Sequence, residues 1–162
     1  MSTAVAINSE SVKAFFENPI FLSSVSSWLF SQLVKTVVVL LRSPGKSIRE
    51  ILATIAWRTG GMPSSHSSLV AAMTVSVAFK EGIQSNLFIV SFCFAMVVMR
   101  DAIGVRRSSG LQARTLNMLG RYTAEKLAIE YHPVKEIQGH TPLEVLVGAL
   151  LGIFMAAAYT FL

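Results

Sequence analysis

The sequence predicts an all-α integral membrane protein, a helical bundle of about four transmembrane helices with interfacial helices between them. Three observations carry this expectation. Only 14% of the 162 residues are charged, against about 25% in soluble domains. Mean hydropathy is +0.57. The apolar residues also gather in four runs, most of them near the roughly 20 residues that cross a hydrocarbon core. A chain of this length makes one domain, read here as an N-terminal arm over 1–18 and a single membrane-embedded domain over 19–162. Cys93, the sole cysteine, lies inside an apolar run. That leaves no intramolecular disulfide and no cysteine-based metal site.

The net charge of +5 is unevenly placed, because basic residues collect between the apolar runs. They read as topology signals or lipid-phosphate contacts. No zinc-finger or aromatic-basic pattern points to nucleic acid; the expected partner is membrane lipid. The arm has no basic stretch leading into an apolar one, so no cleavable signal peptide is expected. Its segment Val12 to Phe16 is amphipathic and suits the interface.

The first span runs from Ile20 to Leu41 and is interrupted by Ser23, Ser24, Ser26, Ser27, Ser31, Gln32 and Lys35. A lysine there either snorkels to the interface or faces a polar site within the bundle. The following loop, Arg42 to Met62, places Ile48, Ile51, Leu52 and Ile55 at helical spacing, which predicts a short interfacial helix over 47–57. The second span covers Pro63 to Phe79 and stops at Lys80-Glu81-Gly82. The third covers Leu87 to Met99. A loop from Arg100 to Gly139 follows, helical over 110–129, and the last span runs from Pro142 to Leu162. Gly148 and Gly152 give that span a small-x-x-x-small face for close packing, within the chain or in a homo-oligomer. The two long loops hold four and seven basic residues, against one in the intervening turn. The positive-inside rule places both loops on the cytoplasmic side, or its organellar equivalent.

Two constellations then fall on that side. The stretch Arg58-Thr59-Gly60-Gly61-Met62-Pro63-Ser64-Ser65-His66 leads into the second span. Its glycines allow close approach to a ligand and positive φ, and Pro63 suits a first helical turn. Ser64 and Ser65 offer hydroxyls beside unpaired N–H groups that favour an anion, and His66 exchanges a proton near neutral pH. The second constellation is His140-Thr141-Pro142-Leu143-Glu144. Thr141 stands at the N-cap before Pro142. A carboxylate four residues from an imidazole holds one ring nitrogen and leaves the other free as nucleophile or base. Two histidines with many arginines on one face fit phosphoryl transfer.

Pro63-Ser64-Ser65-His66 resembles the P-S-G-H motif of the type 2 phosphatidic acid phosphatase superfamily, which includes vanadium-dependent haloperoxidases. His140 to Glu144 with the following Gly148 and Gly152 resembles that superfamily's last motif, where H-x-x-x-D precedes a glycine-containing helix. With Arg100-Asp101-Ala102-Ile103-Gly104-Val105-Arg106-Arg107 and Gly110-Leu111-Gln112-Ala113, the chain looks like the superfamily's divergent branch, over residues 15 to 160. The resemblance implies a metal-independent, cofactor-free lipid phosphatase. His140 would be the nucleophile, Glu144 the group orienting it, and His66 the acid for the leaving group. Ser64 and Ser65 would bind phosphate together with Arg58, Lys35, Arg106 and Arg107. Lys35 with Arg42 repeats the lysine-to-arginine spacing of the superfamily's first motif, although Pro44 comes one residue late.

The departures are specific. The superfamily carries an arginine six residues before the nucleophilic histidine; here that position is Val134. Arg106, Arg107 and Arg58 are the candidates to replace it. Ser65 stands for the glycine of P-S-G-H, and Glu144 for the aspartate. Asp101 next to Arg100 suits a structural ion pair, Gln112 and Asn117 suit a headgroup or the backbone, and His132 a loop. The leading reading is a phosphatase acting on a lipid phosphate monoester or diphosphate. The alternative is a catalytically inactive protein that keeps the pocket to bind anionic lipid or a partner. A small transporter subunit, motivated by Gln32 and Lys35 within a span, is the third.

Overall fold

The computed structural model describes residues 8–42, 61–136 and 139–161. The described residues form helices and connecting segments with no strand. The interfacial helix expected over 47–57, with Arg58, lies outside them. Helix α1 (Ser9–Phe16) opens on Asn8, whose Oδ1 accepts from the Ser11 N–H at 2.8 Å. Phe15 and Phe16 pack on Phe21 of α2 (Pro19–Arg42), with ring centroids 4.5 and 5.6 Å apart. That contact ties the arm to the first span.

The serines of α2 organise its packing. Ser23, Ser27, Ser31 and Lys35 recur every four residues, which puts them on one helical face, and all four are buried. That face meets α3 (Ser65–Glu81). Ser23 Oγ lies 2.7 Å from Ser76 Oγ, the Ser27 and Ser68 hydroxyls bond each other, and Lys35 Nζ lies 3.4 Å from Ser65 Oγ. Lipid tails are as apolar as leucine, so close packing and interhelical hydrogen bonds, not hydrophobicity, hold such helices together.

The centre of the bundle is α3, packed against α2, α4 (Asn86–Ile103) and α6 (Pro142–Phe161). Ser65, Ser67, Ser68, Val70, Ala71, Ala72, Thr74, Ser76 and Val77 are all buried. Small side chains around the helix let three neighbours approach it closely. Among the described residues, three stretches are long and apolar enough to cross a membrane: Pro19–Leu41, Asn86–Leu127 and Pro142–Phe161. Helix α3 is not among them: at 17 residues it is shorter than the others, and its serines make it less apolar. Its 17 residues rise about 25 Å, and its polar faces are covered by protein instead of lipid. Gly82 closes α3 at φ +82, a conformation that L side chains rarely adopt.

On α6, Gly148, Gly152 and Ala156 form the small-residue face, and it faces α3 of the same chain. A Cβ at Gly148 would strike the Ser64 carbonyl, and one at Gly152 the Ser68 carbonyl and the Ala72 nitrogen. The glycines therefore serve intrachain packing.

Two expected boundaries are corrected. The second span begins at Ser65, with Ser64 as N-cap and Pro63 outside the helix in a cis peptide. The expected loop from Arg100 to Gly139 is mostly helix. Helix α4 continues through Arg100 and Asp101 to Ile103, and after Gly104 α5 (Val105–Leu127) begins at once. A charged pair ends a lipid-compatible stretch, but it does not end a hydrogen-bonded helix. Ala128 turns the chain in the left-handed region into an irregular segment.

Buried Asn117 of α5 fastens that segment. Its Nδ2 donates to the Val134 carbonyl and to Glu136 Oε1, and its Oδ1 accepts from the Val134 N–H and the Tyr131 hydroxyl, all at 2.9 Å. Asn117→Ala is expected to destabilise the protein by about 1–3 kcal/mol, since the partners lose their bonds together. Thermal unfolding in detergent measures this, and an unchanged midpoint refutes it.

Candidate active site

The site is assembled where the N-terminal ends of α3 and α6 meet the elbow between α4 and α5. Thr141 and Glu144 form a reciprocal cap. Thr141 Oγ1 accepts from the Glu144 N–H at 3.3 Å, and Glu144 Oε2 accepts from the Thr141 N–H at 2.9 Å. The T-x-x-E spacing of such a box was present in the sequence. The same Oε2 lies 3.1 Å from His140 Nδ1. A carboxylate acceptor places the proton on Nδ1 and the lone pair on Nε2. Its capping bond in turn fixes Glu144, so the orientation of the imidazole is inherited from the helix start.

His140 is 5% exposed. Burial pushes its imidazole below the ordinary histidine value, the hydrogen bond it donates to Glu144 pulls it back, and the Lys35 and Arg106 cations push it down again. Its backbone N–H donates to the Ala102 carbonyl at 3.1 Å, a contact that no sequence signal announced. Gly139 touches the Arg107 backbone, where a Cβ would collide. The Arg100-to-Arg107 block is thereby docked on the His140 segment.

From α3, His66 stands exposed beside the buried Ser65, within electrostatic reach of His140, Lys35, Arg106 and Asp101. The fold thus brings together His66, Ser65, Lys35, His140, Glu144, Arg106 and Asp101. Lys35 is 6% exposed and turned inward, so it does not snorkel. Arg106 Nε donates to Asp101 Oδ2 at 2.6 Å. The ion pair expected of Asp101 is thus made with Arg106.

Other expected residues lie elsewhere. The Ser64 hydroxyl accepts from the Ser67 N–H at 3.4 Å and the Ser67 hydroxyl at 2.9 Å, and its own N–H donates to the Glu144 carbonyl at 2.9 Å. It is 0% exposed. Ser64 caps α3 and ties it to the start of α6. Ser65 keeps its hydroxyl beside Lys35. Arg107 contributes backbone contact and an exposed side chain. Gln112 is exposed on α5, and Arg42 ends α2, its side chain outside the described ones. Val134 is exposed and held by Asn117. Of Arg106 and Arg107, the two such candidates among the described residues, Arg106 is the one whose charge acts on both histidines.

A family model described as the Divergent PAP2 family matches residues 16–155. The chain is also 37% identical over 154 residues to the uncharacterized membrane protein YuiD of Bacillus subtilis (strain 168), covering 87% of this chain and 94% of that relative. No solved structure matches.

Proposed function

This chain belongs to the Divergent PAP2 family, and on that footing we propose that it is a membrane phosphatase hydrolysing a lipid phosphate monoester or diphosphate through a phosphohistidine. The observation that carries the reading is the His140 imidazole, held at Nδ1 by Glu144 with Nε2 left to attack phosphorus. In the first step the Nε2–P bond forms and the P–O bond to the lipid breaks, while His66 gives a proton to the leaving oxygen. Water then attacks the phosphohistidine, His66 takes its proton, and phosphate leaves. Arg106, Lys35, the Ser65 hydroxyl and the first-turn N–H groups of α3 supply the positive field for the phosphoryl oxygens. The site faces the cytoplasm, or its organellar equivalent, in this reading.

The binding-protein alternative draws on Val134 and on the engagement of Arg106 with Asp101. Phosphate release from a panel of lipid phosphates, with chelator present, separates the two. The phosphatase reading expects turnover that vanadate inhibits and that both His140→Ala and His66→Ala abolish. Vanadate or phosphate binding without turnover on any substrate would give the site to the alternative.

Two further outcomes follow from the same geometry. Arg106→Gln is expected to lower kcat/KM by about ten- to a hundredfold, the worth of one charge-assisted contact to the phosphoryl group. A change below twofold would remove Arg106 from the site. The nucleophile must also be neutral. Protonated His140 has no lone pair on Nε2, so kcat/KM falls as pH drops through its pKa. Because burial holds that pKa below the ordinary histidine value, the acid limb of the pH–rate profile is expected below that value. An acid limb above it would contradict the assignment.

A further inference from the structure

The elbow between α4 and α5 carries a second recess. Arg100, Gly104, Val105, Ser108, Ser109 and Gln112 line an open cleft of about 570 Å3. It does not belong to the histidine site. Ser108 follows Arg106 by two residues, about 200° around a helix, so the face presenting Ser108 points away from the one presenting Arg106. Arg100 lies against Gly104, where a Cβ would come within 3.2 Å of its Nη1. Among the described residues it has no carboxylate partner.

Below Arg100, α4 presents an uncovered apolar track. Ile89, Cys93 and Met96 precede Arg100 by eleven, seven and four residues, which places them on its face of the helix. Ile89 is 52% and Met96 57% exposed, and Cys93 is exposed. No described helix covers this line. A cation with no carboxylate partner among the described residues, two hydroxyls and an amide therefore stand at one end of an apolar strip on a membrane helix. This combination matches one ligand chemistry: a phosphodiester whose oxygens take the cation and the hydroxyls, joined to an acyl chain for the strip.

We propose that the α4–α5 elbow binds an anionic phospholipid, with its phosphate in the Arg100–Ser108–Ser109–Gln112 cleft and an acyl chain along Met96, Cys93 and Ile89. A zwitterionic headgroup carries a cation that would face Arg100, so the site discriminates by charge. A free phosphate would leave the apolar strip uncovered. The proposal does not rest on the phosphatase reading.

The test uses full-length His140→Ala protein in detergent, so that turnover does not consume lipid, with excess inorganic phosphate to occupy the histidine site. Phosphatidylglycerol or phosphatidylcholine is titrated in and retained lipid counted by native mass spectrometry. One phosphatidylglycerol should be retained at least about fivefold better than phosphatidylcholine, the worth of one arginine at a charged headgroup. Adding Arg100→Gln should erase that preference, and Lys80→Gln, at the C-terminal end of α3, should leave it. Ser108→Leu fills the cleft without touching the charge and should also lower retention, which covers a failure of Arg100→Gln to fold. Equal retention of the two lipids, displacement of all lipid by phosphate, or a preference that survives both elbow substitutions would overturn the proposal.

Discussion

His140→Ala is expected to reduce phosphate release by about 10,000-fold or more, because it removes the atom that forms the covalent intermediate. The expectation is built from the helix start upward. The capping bond between Thr141 and Glu144 fixes the carboxylate, the carboxylate fixes Nδ1 at 3.1 Å, and Nε2 is left as the nucleophile. Glu144→Gln should cost less, since an amide oxygen still accepts the Nδ1 proton while the stabilising charge is gone. The alanine variant should stay folded, because the His140 backbone bond to Ala102 survives it. Retained phosphate binding and an unchanged unfolding midpoint would confirm that. Residual turnover within tenfold of wild type would show that His140 is not the nucleophile.

Gly152→Leu is expected to cost about 3 kcal/mol or more of stability, at or beyond the upper end of overpacking penalties. The atoms in the way are the Ser68 carbonyl and the Ala72 nitrogen. They belong to the backbone of α3, so no side chain can rotate aside. The effect should reach the chemistry as well. Helix α6 leads from His140 and Glu144, α3 carries Ser65 and His66, and the Ser64 N–H bond to the Glu144 carbonyl at 2.9 Å couples the two starts. Separating the helices at Gly152 pulls that bond and misplaces one histidine against the other. Thermal unfolding in detergent and phosphate release should fall together. Leu150→Ala, on an exposed face of the same helix, is the control and should change stability by only about 0.5 kcal/mol. A Gly152→Leu protein as stable as that control would disprove the packing account.

Much of this was legible in the chain. The helix stop at Gly82, the cap at Thr141 and the pairing of His140 with Glu144 are local patterns, with partners within a few residues of each other. The serines of α2 were legible only as interruptions of an apolar run, although their four-residue recurrence already placed Ser23, Ser27, Ser31 and Lys35 on one face. The capping role of Ser64 was not legible, for a physical reason. Its hydroxyl and N–H have two competing uses, anion binding and capping, and residue type does not distinguish them.

By itself, then, the sequence determined the all-α membrane class, the family and the place of the two histidine motifs at helix starts, because hydropathy, capping and i, i+4 spacing act over one or two turns. Only the tertiary structure decided that Lys35 turns inward to Ser65, that Arg106 and not Arg107 acts on both histidines, and that Gly148 and Gly152 serve α3 of the same chain. Those outcomes depend on which helix faces lie together. In a bundle without a hydrophobic drive between helices, that choice is made by hydroxyl pairs and backbone contacts between residues 40 to 85 positions apart, such as Ser27 with Ser68 and Ser68 with Gly152.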